Sequence, residues 1–261
     1  MRMAKRKGGA AVEPMSGKDC DITFFIPCFN EEKNILNTLN AVIGAVSKTS
    51  LRYEILVVDD CSGDRTSEIV EKFQRDNPLI QVILKKNKVN LGLGRNYIDG
   101  AFVGHGNCYM LVNGDNAEPE EAISAILSKI GQADMIIPYF GSNDKRVFWR
   151  RNVSRLFTHL VNFAGGFKIR YYNGPVLHKR YNIMRWHPDT HGFAYQAETI
   201  TRLLEEGVSY VEIEITNKDR QYGMTKAFRI QNVMSIAHSL LQIFLRHLRR
   251  LLFYRHTFSR S

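Results

Sequence analysis

Two short acidic segments hold the side chains best suited to chemistry. In Val57-Val58-Asp59-Asp60-Cys61-Ser62-Gly63-Asp64-Arg65-Thr66 an apolar run leads into a carboxylate-rich turn. A carboxylate at a strand end can accept hydrogen bonds from a base amide or from ribose hydroxyls, which makes Asp59 and Asp60 candidates for holding a nucleotide. Asp64, taken alone, reads equally well as the cap of a helix starting near Thr66. Leu111-Val112-Asn113-Gly114-Asp115-Asn116 follows another apolar run. Its oxygen donors, Asp115 foremost, suit a hard divalent cation, Mg²⁺ or Mn²⁺, bridging two phosphates; Asn113-Gly114 in isolation is also an ordinary tight-turn pair. A third segment, Asn90-Leu91-Gly92-Leu93-Gly94-Arg95-Asn96, opens a helix with glycines. Backbone can approach a ligand closely there, and helix-start amides favour anions. It is not the dinucleotide fingerprint, which should follow the first strand rather than the third.

These segments need a scaffold that brings them together. Apolar runs predict strands at 22–27, 53–58, 80–84, 109–112 and 135–137, alternating with amphipathic helices near 32–47, 66–75, 93–103, 119–130 and 148–163. Such alternation predicts an α/β fold with a mostly parallel sheet and helices on both faces. Ligands of open sheets gather beyond the carboxyl ends of the strands. There Pro27-Cys28-Phe29-Asn30-Glu31-Glu32, the Asp59 turn and the Asp115 turn would share one rim. The second half reads as a loop at 171–175, a helix near 193–206, a strand at 210–215 and a last helix from about 226 to 254.

Length and composition bound the rest. With 261 residues, 44% of them hydrophobic, the chain can bury one substantial core. Residues 1–19 read as a disordered basic arm, 20–226 as the catalytic domain and 227–261 as an amphipathic basic tail. The formal charge of +10 points to an anionic partner: phosphate, nucleic acid or an acidic membrane. Four cysteines without C-x-x-C spacing indicate neither a zinc site nor a disulfide framework, and fit a reducing cytosol. The nearest approach to a membrane span, residues 230–245, is broken by several polar residues. Val233, Ala237, Leu240, Leu241, Phe244, Leu248, Leu251 and Leu252 instead form one helical stripe, with Arg246, His247, Arg249, Arg250 and Arg255 at its end. That pattern suits peripheral attachment to the cytoplasmic leaflet of a membrane, each basic residue adding about 1 kcal/mol near anionic lipid. The alternative is a stripe that packs on the domain or on a partner, with its arginines solvated.

Taken in order, the segment at 26–32, the Asp59 turn, the Asn90 loop and the Asp115 turn resemble the family-2 glycosyltransferases of GT-A fold. Within them the nearest likeness is to the polyprenol-phosphate (dolichol-phosphate) mannosyltransferases. It covers about residues 20 to 226 and includes Phe193-Ala194-Tyr195-Gln196-Ala197-Glu198 and Asp219-Arg220-Gln221-Tyr222-Gly223-Met224-Thr225-Lys226. The resemblance implies that Pro27, Asn30 and Glu31 touch the nucleotide, that Asp59 holds its base or ribose, and that Asp115 ligates the metal. It implies further that Arg220 and Lys226 close over the phosphates and that Glu198, with Gln196, meets the acceptor or acts as base. Two departures stand out. Asn113 replaces the first carboxylate of the D-x-D metal motif, leaving Asp115 with a neutral amide. Tyr171-Tyr172-Asn173-Gly174-Pro175 also stands where the mannosyltransferases carry an Asp-containing segment ending in Arg.

The expected reaction is one displacement, with inversion, from a nucleoside-diphosphate sugar to a polyprenyl phosphate. A sugar hydroxyl of a glycan or glycolipid is the alternative acceptor, for which Glu198 would have to serve as base. Two rivals are a basic nucleic-acid-binding protein and a nucleotidyltransferase. The first rests on Arg150, Arg151, Arg155, Lys168 and Arg170 beside Tyr171 and Tyr172, without a recognised nucleic-acid motif, so that no nucleic-acid partner is expected. The second lacks a Gly-rich, Arg- and Lys-bearing loop after the first strand.

Overall fold

The computed structural model describes residues 20–141, 144, 146–186, 192, 194–216 and 230–253, with 230–233 described by backbone only. The chain runs β1 (Ile22–Cys28), α1 (Ile35–Val46), β2 (Tyr53–Asp59), α2 (Thr66–Asp76), β3 (Val82–Lys86), α3 (Leu93–Val103), β4 (Cys108–Leu111) and α4 (Glu120–Leu127). It continues with β5 (Met135–Phe140), α5 (Phe148–Gly165), β6 (Leu177–Lys179), α6 (Arg180–Arg185), α7 (Tyr195–Glu205), β7 (Tyr210–Ile215) and α8 (Ile230–Phe253).

The strands form one seven-stranded sheet in the order β3-β2-β1-β4-β6-β5-β7. All neighbours are parallel except β6, which runs antiparallel to both β4 and β5. β1 and β2 are buried almost throughout, as strands covered on both faces must be. Alternate side chains serve opposite layers. Phe24 of β1 packs in a cluster with α1 and α4, whereas Phe25 packs with α3. Neither β6 nor α6 was anticipated, because three residues are too few to show a strand's period.

One boundary and one helix face differ from expectation, each for a reason in its contacts. α1 starts at Ile35 rather than near residue 32, because the Glu31 and Glu32 amides donate to Thr66 Oγ1 (2.8 Å) and Asp64 Oδ2 (3.0 Å). Those bonds hold residues 31–34 in a turn across the gap between two strands. α8, in turn, packs against α5 and α7. Ser239 and Ile243 are buried there. Arg246 also faces inward, donating to Glu205 Oε2 (3.1 Å) and Thr201 Oγ1 (2.9 Å), while Arg250 lies 5.3 Å from the Phe167 ring centroid. Leu241, Leu245, Leu248 and Leu252 face outward instead. Carboxylates on α7 explain the inward turn of Arg246, since they give a largely covered guanidinium its counter-charge. Among the described residues no helix is long and apolar enough to cross a membrane.

Candidate active site

Register brings the acidic loops to one edge. β1 pairs with β2 up to Cys28 opposite Asp59, and with β4 up to Phe25 opposite Leu111, so all three strands deliver their following loops at the same end. Cys28 marks the meeting point. Its thiol is pushed well above the ordinary range, first by burial and then by the carboxylates of Glu31, Asp59, Asp115 and Asp64. Carboxylates from three loops are thus near enough to act on one buried side chain.

The first two loops are laced together. The Asn30 amide donates to Ser62 Oγ (2.9 Å), and its side-chain oxygen accepts from the Gly63 N–H (2.8 Å). Both turns need the left-handed region, at Asn30 (φ 61°) and Cys61 (φ 66°). Asp64 is not the cap of α2, whose N-cap is Arg65; from one residue earlier it accepts from the Thr66 N–H at 3.0 Å, and its other oxygen serves Glu32. Asp59 is buried and accepts from the Ser62 N–H (2.9 Å) and from the Ser67 hydroxyl.

Asp60 takes a different part. Its Oδ1 accepts from the Leu91 N–H (2.8 Å) and from Asn87 Nδ2 (2.8 Å), and its Oδ2 from the Gly92 N–H (2.9 Å). Asn90 adds a bond to the Asp60 carbonyl (3.2 Å). The carboxylate thereby holds the loop that opens α3. Burial pushes its pKa up, but the amides of Asn96 and Asn87 and the Leu91 and Gly92 N–H groups outweigh that, leaving it below the ordinary value. A carboxyl with a depressed folded pKa contributes stability that is complete above its unfolded pKa and disappears as pH falls through the folded one. Asp60→Asn should therefore lower the melting temperature at pH 7, and the gap to wild type should shrink as pH falls below about 4. A gap that is constant from neutral to acid pH would contradict this role.

The third loop rests on Glu118, a residue that spacing alone did not single out. This buried carboxylate accepts from the Asn113 N–H (3.0 Å) and from Asn113 Nδ2 (2.8 Å). An amide whose nitrogen is held this way presents its oxygen on the other side. An acid five residues after an Asn-Gly turn was the available signal. Gly114 sits where a Cβ would come within 2.8 Å of both the Pro27 carbonyl and Cys28 Sγ, so any larger residue forces β1 and this loop apart. Gly114→Ala is expected to cost about 1–3 kcal/mol of stability and to weaken nucleotide binding, both readable in a thermal melt with and without ligand. Asp115 accepts from the Ala117 N–H at 3.2 Å.

Among the described residues no three His, Cys, Asp or Glu side chains converge on a metal position. The donor set nevertheless fits Mg²⁺ or Mn²⁺ bound largely through a diphosphate, which takes only one or two protein oxygens. Asp115 and the Asn113 amide oxygen are of that type.

On the other side of the sheet's edge, Gln196 Nε2 donates to the Gly174 carbonyl (2.7 Å), pinning the 171–175 loop to α7. Glu198 is 1% exposed and lies 3.9 Å from Arg246 Nη1. Arg220 and Lys226 lie outside the described residues.

Against known proteins, the model of the family described as Glycosyl transferase family 2 matches residues 23–190. The polyprenol monophosphomannose synthase of Mycolicibacterium smegmatis is 28% identical over 239 residues, 85% of this chain and 87% of that protein. The undecaprenyl-phosphate 4-deoxy-4-formamido-L-arabinose transferase of Proteus mirabilis is 22% identical over 229 residues, 84% of this chain; the match spans 66% of that protein's length. Among solved structures, glucosyl-3-phosphoglycerate synthase from Mycobacterium tuberculosis, in complex with Mn²⁺, UDP and phosphoglyceric acid, superposes with a TM-score of 0.64 at 12% identity, covering 93% of this chain and 84% of that one. The mannosyltransferase PcManGT from Pyrobaculum calidifontis, in complex with GDP-Man and Mn²⁺, gives 0.60 at 17% identity, covering 87% and 64%.

Proposed function

The chain belongs to glycosyl transferase family 2, and from that premise we propose that it moves a sugar from a nucleoside-diphosphate sugar to a polyprenyl phosphate at the cytoplasmic face of a membrane. The observation that carries this reading is the strand register that delivers the loops of Glu31, Asp59 and Asp115 to one edge of the sheet, with Gly114 packed against Pro27 and Cys28. Pro27, Asn30, Glu31 and Asp59 hold the nucleotide, with Asp60 and Asn90 keeping the neighbouring loop in place. Asp115 and Asn113 would hold Mg²⁺ or Mn²⁺, which would supply positive charge to the departing diphosphate. Arg220 and Lys226 add two cations to the same oxygens.

The acceptor assignment draws on Glu198. A sugar hydroxyl must lose its proton as it attacks, so its enzyme needs a carboxylate open to the acceptor. Glu198 is buried and faces a guanidinium. A phosphate acceptor is already anionic near neutral pH and needs no such base. The relatives whose names carry a polyprenol or undecaprenyl phosphate agree with that choice.

A melting-temperature screen of nucleotide sugars with Mn²⁺ or Mg²⁺ tests donor binding, because a ligand that binds the folded state raises its stability with affinity. Transfer of the best donor's sugar to undecaprenyl phosphate then tests the reaction. A protein that no nucleotide sugar stabilises, yet that shifts nucleic acid in a salt-dependent gel, would overturn the reading.

A further inference from the structure

Helix α5 is apolar on two sides. Val161 and Ala164 pack inward on the domain. On the other side Trp149, Val153, Leu156, Leu160 and Phe163 follow one another at steps of four and three, which places them on one outer stripe. All five are exposed, Leu156 at 60% and Phe163 at 83%. α8 repeats the arrangement: Leu241, Leu245, Leu248 and Leu252 keep the same steps and are exposed, Leu252 at 66%. The two helices are packed neighbours.

A helix on a water-facing surface turns polar residues outward, whereas α8 buries much of Arg246 and leaves Leu241, Leu245, Leu248 and Leu252 outside. Exposed apolar surface on this scale marks a contact with something apolar. The charges around it indicate what. No Asp or Glu occurs between residues 145 and 170 or after Asp219. Arg155, Lys168, Arg170 and Arg249 are exposed on or beside the two helices. Near the start of the α5 stripe the Arg150 guanidinium lies 5.5 Å from the Trp149 ring, a pairing suited to the boundary between hydrocarbon and headgroup.

We propose that the outer faces of α5 and α8 form one docking surface for an anionic lipid bilayer, with α5 as a second anchor beside α8. The inference rests on the membrane-acceptor reading and extends it to a helix within the catalytic domain. Apolar side chains enter the lipid, while the exposed Arg155, Lys168 and Arg249 meet the headgroups.

The test uses the full chain and vesicles of phosphatidylcholine with or without phosphatidylglycerol. The paired variants Leu156→Ser/Leu160→Ser on α5 and Leu245→Ser/Leu248→Ser on α8 replace exposed residues, so melting curves should match wild type. Each pair should lower partition into anionic vesicles about tenfold or more, and brominated lipid should quench a fluorescence component that Trp149→Phe removes. Wild-type binding by the α5 pair would overturn the proposal, as would equal binding to neutral and anionic vesicles. So would a concentration-dependent dimer that the α5 pair abolishes while vesicle binding persists. Transfer to a short, water-soluble polyprenyl phosphate separates the two claims: the α5 pair should retain it. If the wild type binds vesicles but fails on that acceptor, the acceptor reading is wrong and the docking surface stands.

Discussion

Asp115→Ala is expected to lower turnover by about 10²–10³-fold, the scale of losing one preorganised group that meets developing charge, while leaving the fold intact. The side chain is half-buried and its described bond is to the nearby Ala117 N–H, so its removal creates no large cavity. Charge accumulates on the diphosphate as the sugar leaves. The partner Asn113 cannot compensate, because it is neutral and its amide nitrogen is tied to Glu118. Two readouts separate this role from simple damage. The variant's melting temperature without ligand should match wild type, and the extra stabilisation that Mn²⁺ gives a bound nucleoside diphosphate should vanish. Retained turnover in Asp115→Ala, or full wild-type turnover in a chelator, would remove the metal from this loop.

Glu198→Gln should divide the two acceptor classes. Loss of a positioned base costs about 10²–10⁴-fold when a proton must move, so a collapse of transfer to a sugar hydroxyl would make Glu198 that base and overturn the phosphate assignment. Transfer to a phosphate has no proton to lose and should fall by less than about tenfold. The amide keeps the volume of the buried side chain but removes the charge facing Arg246. Some loss of stability is expected, and melting curves must accompany the rates. A loss of about 10²-fold or more on the phosphate, with an unchanged melting curve, would give Glu198 a direct part in the reaction and defeat its placement under α8.

The first half of the fold was legible because each strand is long enough to show its apolar run and each turn carries its own punctuation. Asp59 and Asp115 could be placed on one rim from strand order alone, since parallel strands deliver their carboxyl ends together. What was not legible depends on contacts distant in sequence. Asp60 and Asp59 are neighbours of the same type, yet only the three-dimensional placement of Leu91 and Gly92 ties Asp60 to the third loop. Glu118 meets Asn113 only because the intervening turn folds back. α8 was read with its arginines outward, and the inward turn of Arg246 follows from Glu205 and Glu198 on another helix. β6 is too short to announce itself, although it joins β4 to β5 and closes the sheet.

The lacing of the first two loops bears on how tightly a ligand can be held. Asn30 and Cys61 keep backbone angles that a free chain seldom visits, the cysteine at a cost of order 1–2 kcal/mol. They persist because Ser62, Gly63, Asp64 and Thr66 grip the opposite turn from several directions. On the proposed reading, a nucleotide at this rim would meet a surface whose conformational freedom was surrendered during folding. Little of its binding energy then goes into freezing loops, which allows a site with few direct contacts to hold its donor firmly.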